Sequence, residues 1–84
     1  MIARSSVTFE RLQQLLLDLG FTQSKRGDFW EFEHSHSQTI LTYRPYRSRE
    51  RVTLKDLHVT RQDLDWRELM SSEAFDDVLH KATA

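Results

Sequence analysis

Four arginines fall within eight residues in Arg44-Pro45-Tyr46-Arg47-Ser48-Arg49-Glu50-Arg51, and Lys55 follows closely. Four arginines less Glu50 give that segment a local charge of +3. A guanidinium is a rigid fork of donors that matches phosphate oxygens in pairs and stacks on base faces. Tyr46 adds a ring of the kind on which unpaired bases stack. The segment leads into a predicted helix start, where unpaired amides and the helix dipole favour anions. Arg44, Tyr46, Arg47, Arg49, Arg51 and Lys55 are therefore the candidate residues for gripping a nucleic-acid backbone. The competing reading is a solvated loop whose arginines pair with acids elsewhere. Such acids exist: Asp56 to Lys81 holds seven acids and three bases, a local charge of −4.

The other chemistry-bearing residues lie between Asp28 and His36. Proton transfer near neutral pH calls for an imidazole or a carboxyl of raised pKa, and Asp28 and His34 are the groups at hand, while Glu31 and Glu33, on the same face as Phe29, would repel a phosphate backbone. His34 and His36, two apart, have the spacing of two metal ligands. Zinc takes three or four ligands, and only His58 and His80 remain as further histidines in a chain without cysteine. Exposed turn histidines are the simpler reading, so no catalytic residue, metal site or cofactor is assigned.

Elements of a small domain must position these residues. Eighty-four residues with 38% hydrophobic and 30% charged content fit one globular domain with a thin core. No apolar run approaches the roughly 18 residues of a membrane span, and residues 1–6 lack the apolar segment of a signal peptide. A cytoplasmic location without membrane contact is the expectation.

Phe9, Leu12, Leu15, Leu16 and Leu19 recur at spacings of three and four, which predicts a helix with one apolar face. The Thr8 hydroxyl is the expected N-cap, Val7 and Leu12 the hydrophobic staple, and Gly20 the left-handed terminator that lets Phe21 fold back on Leu16. Alternation then predicts strands at Thr22–Ser24, Asp28–His34 and Thr39–Tyr43, joined by Lys25-Arg26-Gly27 and by Ser35–Gln38. Trp30 and Phe32 share one face of the middle strand; Phe29, Glu31 and Glu33 share the other. Thr53 and Asp56 have capping-box spacing before a second helix lined by Leu54, Leu57, Arg61 and Leu64. Ser71 or Ser72 opens a third helix with Phe75, Val78 and Leu79 inward. The class is α+β in the order α-β-β-β-α-α, a three-stranded antiparallel sheet packed by helices. It spans residues 7–81, with 1–6 and 82–84 as flexible termini.

The residues that carry a resemblance are Thr8-Phe9, Leu19-Gly20-Phe21, Gly27, Phe32-Glu33-His34, Asp56-Leu57, Arg61, Leu64-Asp65 and Phe75-Asp76. In these the chain resembles the HicA-like (YcfA-like) small domains, and more closely an uncharacterised branch of them. The resemblance implies a fold like the double-stranded-RNA-binding domain. The toxins of that group are ribonucleases that work with an antitoxin, and they cut with the histidine of a Gly-Ser-His motif. Here the motif reads Gly27-Asp28-Phe29, so the glycine carries over and neither functional side chain does. Phenylalanine cannot move a proton. The expectation is a noncatalytic domain, derived from a toxin–antitoxin system, that holds RNA weakly through the arginine segment.

Two other functions stay open. In a protein-interaction module, Phe29 and Trp66 would form a partner surface for an antitoxin-like or other protein. Phe29 is either exposed on the sheet or covered by the third helix, while helical spacing favours a core position for Trp66 with partner contact second. The other function is an mRNA-cleaving toxin that uses an unconventional residue.

Overall fold

A computed structural model describes residues 3–81, with side chains through Leu79. The elements are β1 (Arg4–Thr8), α1 (Phe9–Asp18), β2 (Thr22–Arg26), β3 (Phe29–His34), β4 (Thr39–Tyr43), β5 (Arg51–Thr53), α2 (Leu54–Trp66) and α3 (Ser72–Lys81). The expected three-stranded antiparallel sheet is present in the order β2-β3-β4, with three helices. It is joined by a second, two-stranded antiparallel sheet of β1 and β5 that sequence patterning does not signal. Arg4, Ser5 and Ser6, expected in a flexible terminus, belong to β1; residues 1–2 and 82–84, expected to be flexible as well, lie outside the described residues. The β1–β5 register shifts between its ends, and the buried Ser5 hydroxyl fills the irregularity by donating to the Val52 carbonyl at 2.9 Å.

The β2–β3 hairpin turns on two residues, Gly27 and Asp28, with Arg26 opposite Phe29. Gly27 has φ +59°, the positive value such a tight turn demands of its first residue. β2 therefore runs two residues longer than expected. From there the register holds through Trp30–Tyr43, Phe32–Leu41 and His34–Thr39. Trp30, Phe32, Leu41 and Tyr43 point to the helices, and Phe29, Glu31, Glu33 and Ile40 to the opposite, open face.

Phe9 is the hub of the core. Its ring stacks on Tyr46 at 5.4 Å and on Trp30 at 6.2 Å, and meets Phe32 and Tyr43 edge-on at 6.1 Å each. Such pairs each add about 0.5–1.5 kcal/mol to simple burial. α1 ends as its sequence predicts: Gly20 takes φ +100°, its amide donates to the Leu17 carbonyl and the Phe21 amide to Leu16, both at 3.0 Å. α3 is capped by Ser71, whose hydroxyl accepts the Ala74 amide. Its inward residues are Phe75 and Leu79, whereas Val78 is exposed. On α2 the buried positions are Thr60 and Leu64; Leu54 faces out because Thr60, bonded to the Tyr43 hydroxyl at 2.6 Å, takes the inward place.

Candidate nucleic-acid interface

The arginine segment is an anchored loop. Pro45 leaves the β4 ladder, and Tyr46 then inserts into the core at 4% exposure. The Trp30 indole donates to the Tyr46 carbonyl at 3.3 Å. Next, Arg47 and Glu50 close a turn reciprocally: the Glu50 amide donates to the Arg47 carbonyl, and the Arg47 amide to the Glu50 carboxylate, both at 3.0 Å. The turn presents Ser48 and Arg49 at its tip. Its carbonyls then face α1, where the Phe9 amide donates to Glu50 at 2.8 Å and the Glu10 amide to Ser48 at 2.9 Å.

That geometry corrects three expectations. Thr8 occupies the N-cap position of α1 but its side chain makes no capping bond, because the loop carbonyls already satisfy the first two amides. Tyr46 is no stacking platform for a base: its ring is buried against Phe9, and its hydroxyl accepts the Thr53 amide and donates to Asp56. The α2 N-terminus is no open anion site either. The Leu54 amide donates to the Ala3 carbonyl at 3.0 Å and the Asp56 amide to the Thr53 hydroxyl at 3.1 Å. The Asp56 carboxylate, drawn to the phenol, completes the cap in place of the reciprocal bond of a capping box.

What is left for an anion is side-chain charge. Arg44, Arg47, Arg49, Arg51 and Lys55 are all exposed. Among the described residues, Arg47, Arg49, Arg51 and Lys55 form no ion pair, in contrast to Arg4 with Glu50, Arg26 with Glu31 and Arg61 with Asp76. The expectation that the acidic C-terminal helices neutralise the loop is not met. Asp76 instead holds Arg61 through two 3.0 Å bonds that staple α3 to α2. An open depression lined by Arg47, Arg49 and Glu50 lies at the turn.

Two basic residues outside the candidate set join this end of the molecule. Arg4 reaches across from β1, donating to the Arg51 carbonyl at 2.8 Å and bridging Glu50 at 3.2 Å. Lys25 lies over the Trp30 ring at 5.1 Å, and the register puts Trp30 beside Tyr43, the last residue before Arg44. Arg4 was legible only through the β1–β5 pairing, and Lys25 only through the longer β2.

The remaining candidates are dispersed. Phe29 is 53% exposed on the open face of the sheet. Trp66 is 84% exposed at the end of α2, on the other side of the sheet, which overturns its expected core position: Leu64 takes the inward direction two residues earlier. They do not form one patch. The His34 Nδ1 engages the Ser37 hydroxyl at 2.8 Å, and its ring is 6.5 Å from that of His36. No three potential metal ligands come together among the described residues. No helix is long and apolar enough to cross a membrane.

Comparison with protein-family models, with curated proteins and with solved structures finds no match to this chain.

Proposed function

We propose that this domain is a noncatalytic HicA-like module that binds the RNA backbone weakly through the loop 44–51 and Lys55. The observation that carries the reading is the set of exposed cations without acidic partners, Arg47, Arg49, Arg51 and Lys55, on a loop held by the Phe9 and Glu10 amides. An anchored loop loses little entropy on binding, so charge contact is converted into affinity more fully than on a floppy tail. Contact is made with phosphates chiefly by guanidinium and ammonium groups, since the Leu54 and Asp56 amides and the Tyr46 ring are occupied. Backbone contacts of that kind position a nucleic acid without reading its sequence. Phe29 stands where the toxins of the resembled family carry histidine, which leaves gripping without cutting.

Fluorescence anisotropy of a labelled RNA duplex, titrated with the protein across a salt series, tests the reading. Three to four phosphate contacts predict a log–log salt slope of about −2.7 to −3.6, and an RNA that stays intact throughout. Absence of binding at low salt overturns it.

A second reading, docking of a protein partner, is favoured by Trp66, whose ring is almost wholly in solvent beside Asp63 and Asp65. Copurification of a stoichiometric partner free of nucleic acid, lost on Trp66→Ala, is its test.

A further inference from the structure

The two edges of the three-stranded sheet differ. β2 carries Lys25 and Arg26, charges of the sort that keep a second strand away. β4 reads Thr39-Ile40-Leu41-Thr42-Tyr43, with no charge, glycine or proline, in unbroken register with β3. No strand pairs with its other side among the described residues. Beside that bare edge a groove of about 270 Å³ runs between β4 and α2. Ile40 is 56% exposed and Val59, on the α2 wall, 45%. The Tyr43–Thr60 hydroxyl bond ties the two walls together, so the groove is fixed rather than a gap that side chains can close.

We propose that this edge is a dimer interface in which β4 pairs antiparallel with β4 of a second copy of the chain, making one continuous six-stranded sheet. The lining residues favour a second copy over an unrelated strand because they are self-complementary. In a two-fold contact, if one residue meets another, the reverse contact also exists. Centring the ladder on Leu41 sets Thr39 opposite Tyr43 and Ile40 opposite Thr42 of the other copy. Along α2, Lys55, Val59 and Asp63 line the same groove at a spacing of four and so share one helix face. The same axis runs the two α2 helices antiparallel on one side of the sheet. Val59, midway, then meets Val59, while Lys55 meets Asp63 at both ends. The contact is apolar at its centre and matched in charge at its flanks. Pro45 ends the ladder after Tyr43, which limits the pairing to these five residues.

Sedimentation equilibrium of the full chain tests this. The expected result is a reversible species of twice the 10.0 kDa monomer mass that weakens as salt rises. Lys55→Glu and Asp63→Lys each set like charges against each other and weaken the dimer about tenfold or more, while the double variant restores it to within about threefold. Both reversals suit the helix dipole, an acid in the first turn and a base towards the last, so the monomer keeps its fold. Ile40→Lys puts a charge on the edge beside its cross-strand neighbour Glu33 and yields a folded monomer by circular dichroism. A chain that stays monomeric up to about 1 mM overturns the proposal and leaves the edge to some other strand. So does a double reversal that fails to restore the dimer. Because the readout is mass, both outcomes leave the RNA-binding reading standing; in the dimer Lys55 is taken by Asp63 of the second copy, and the arginines alone carry the phosphate contacts.

Discussion

The Tyr46 hydroxyl donates to the Asp56 carboxylate at 2.5 Å while accepting the Thr53 amide at 3.0 Å. One phenol thus joins the arginine loop, the end of β5 and the first turn of α2. Tyr46→Phe leaves the buried Thr53 amide without its acceptor, and an orphaned buried donor costs about 1–3 kcal/mol. Asp56→Asn keeps an acceptor for the phenol and is expected to cost less, below about 1 kcal/mol. Urea denaturation of the two variants measures the order; equal losses would show that the phenol's second bond contributes nothing.

Alkaline pH acts on the same tyrosines. Burial pushes the Tyr43 phenol well above its ordinary value, and burial followed by the Asp56 contact raises that of Tyr46. In the unfolded chain a phenol ionises near 10. Above that pH the unfolded state binds fewer protons than the native state, so stability falls as pH rises. Stability is expected to be flat up to about pH 10 and then to drop by up to about 1.4 kcal/mol per pH unit for each buried phenol. Tyr43→Phe removes the contribution of the more strongly raised phenol, and denaturation midpoints between pH 8 and 11 reveal whether the slope falls.

The parts legible in the sequence are those where a local rule and the tertiary fold agree. The α1 stripe, its glycine stop, the β3 and β4 alternation and the Thr53 cap follow from periodicity and backbone chemistry within a few residues. The β1–β5 pair is invisible to such rules, because Arg4-Ser5-Ser6-Val7-Thr8 holds one apolar residue and Val52 stands alone in three. Its cost was the misreading of Thr8 and Tyr46. Only the pairing of β1 with β5 brings the loop carbonyls to the α1 amides and turns the tyrosine inward. The arginines themselves were legible as charge, but that they pair with none of the C-terminal acids was not, nor was the Arg61–Asp76 contact between residues 15 apart.

The two glycines test how backbone conformation, apart from packing, holds the frame. A Cβ at Gly20 would meet the His34 ring at an ordinary 3.5 Å, and one at Gly27 would meet nothing within 4 Å. Sterics against neighbours therefore cost little at either site. Gly27 at φ +59° is the first residue of a two-residue hairpin whose second residue, Asp28, is not at positive φ, the type II′ arrangement that only glycine adopts freely, whereas Gly20 at +100° ends a helix in the left-handed manner. Gly27→Ala is expected to cost about 1 kcal/mol more than Gly20→Ala, a difference of about 4–8 °C in Tm for a domain of this size. A larger loss at Gly20 would place the critical turn at the end of α1.

The loop's charges separate electrostatic grip from structural support. Arg49 sits at the turn tip with no ion pair among the described residues, whereas Arg61 is held by Asp76 through two bonds. Arg49→Ala is expected to reduce the magnitude of the salt slope for duplex RNA by about 0.9, one phosphate contact, with stability unchanged within about 0.5 kcal/mol. Arg61→Ala reverses that pattern, costing stability at the α2–α3 contact and leaving the salt slope alone. Glu50→Gln adds a gain-of-function arm: it keeps an acceptor for the Arg47 amide and removes the one acid of the loop. Deleting a negative charge among four arginines strengthens the local field on a polyanion, so RNA affinity at low salt should rise about threefold, with the gain fading as salt screens it. If Arg49→Ala and Arg61→Ala shift the slope equally, RNA is held by net charge alone and the loop has no special part in it.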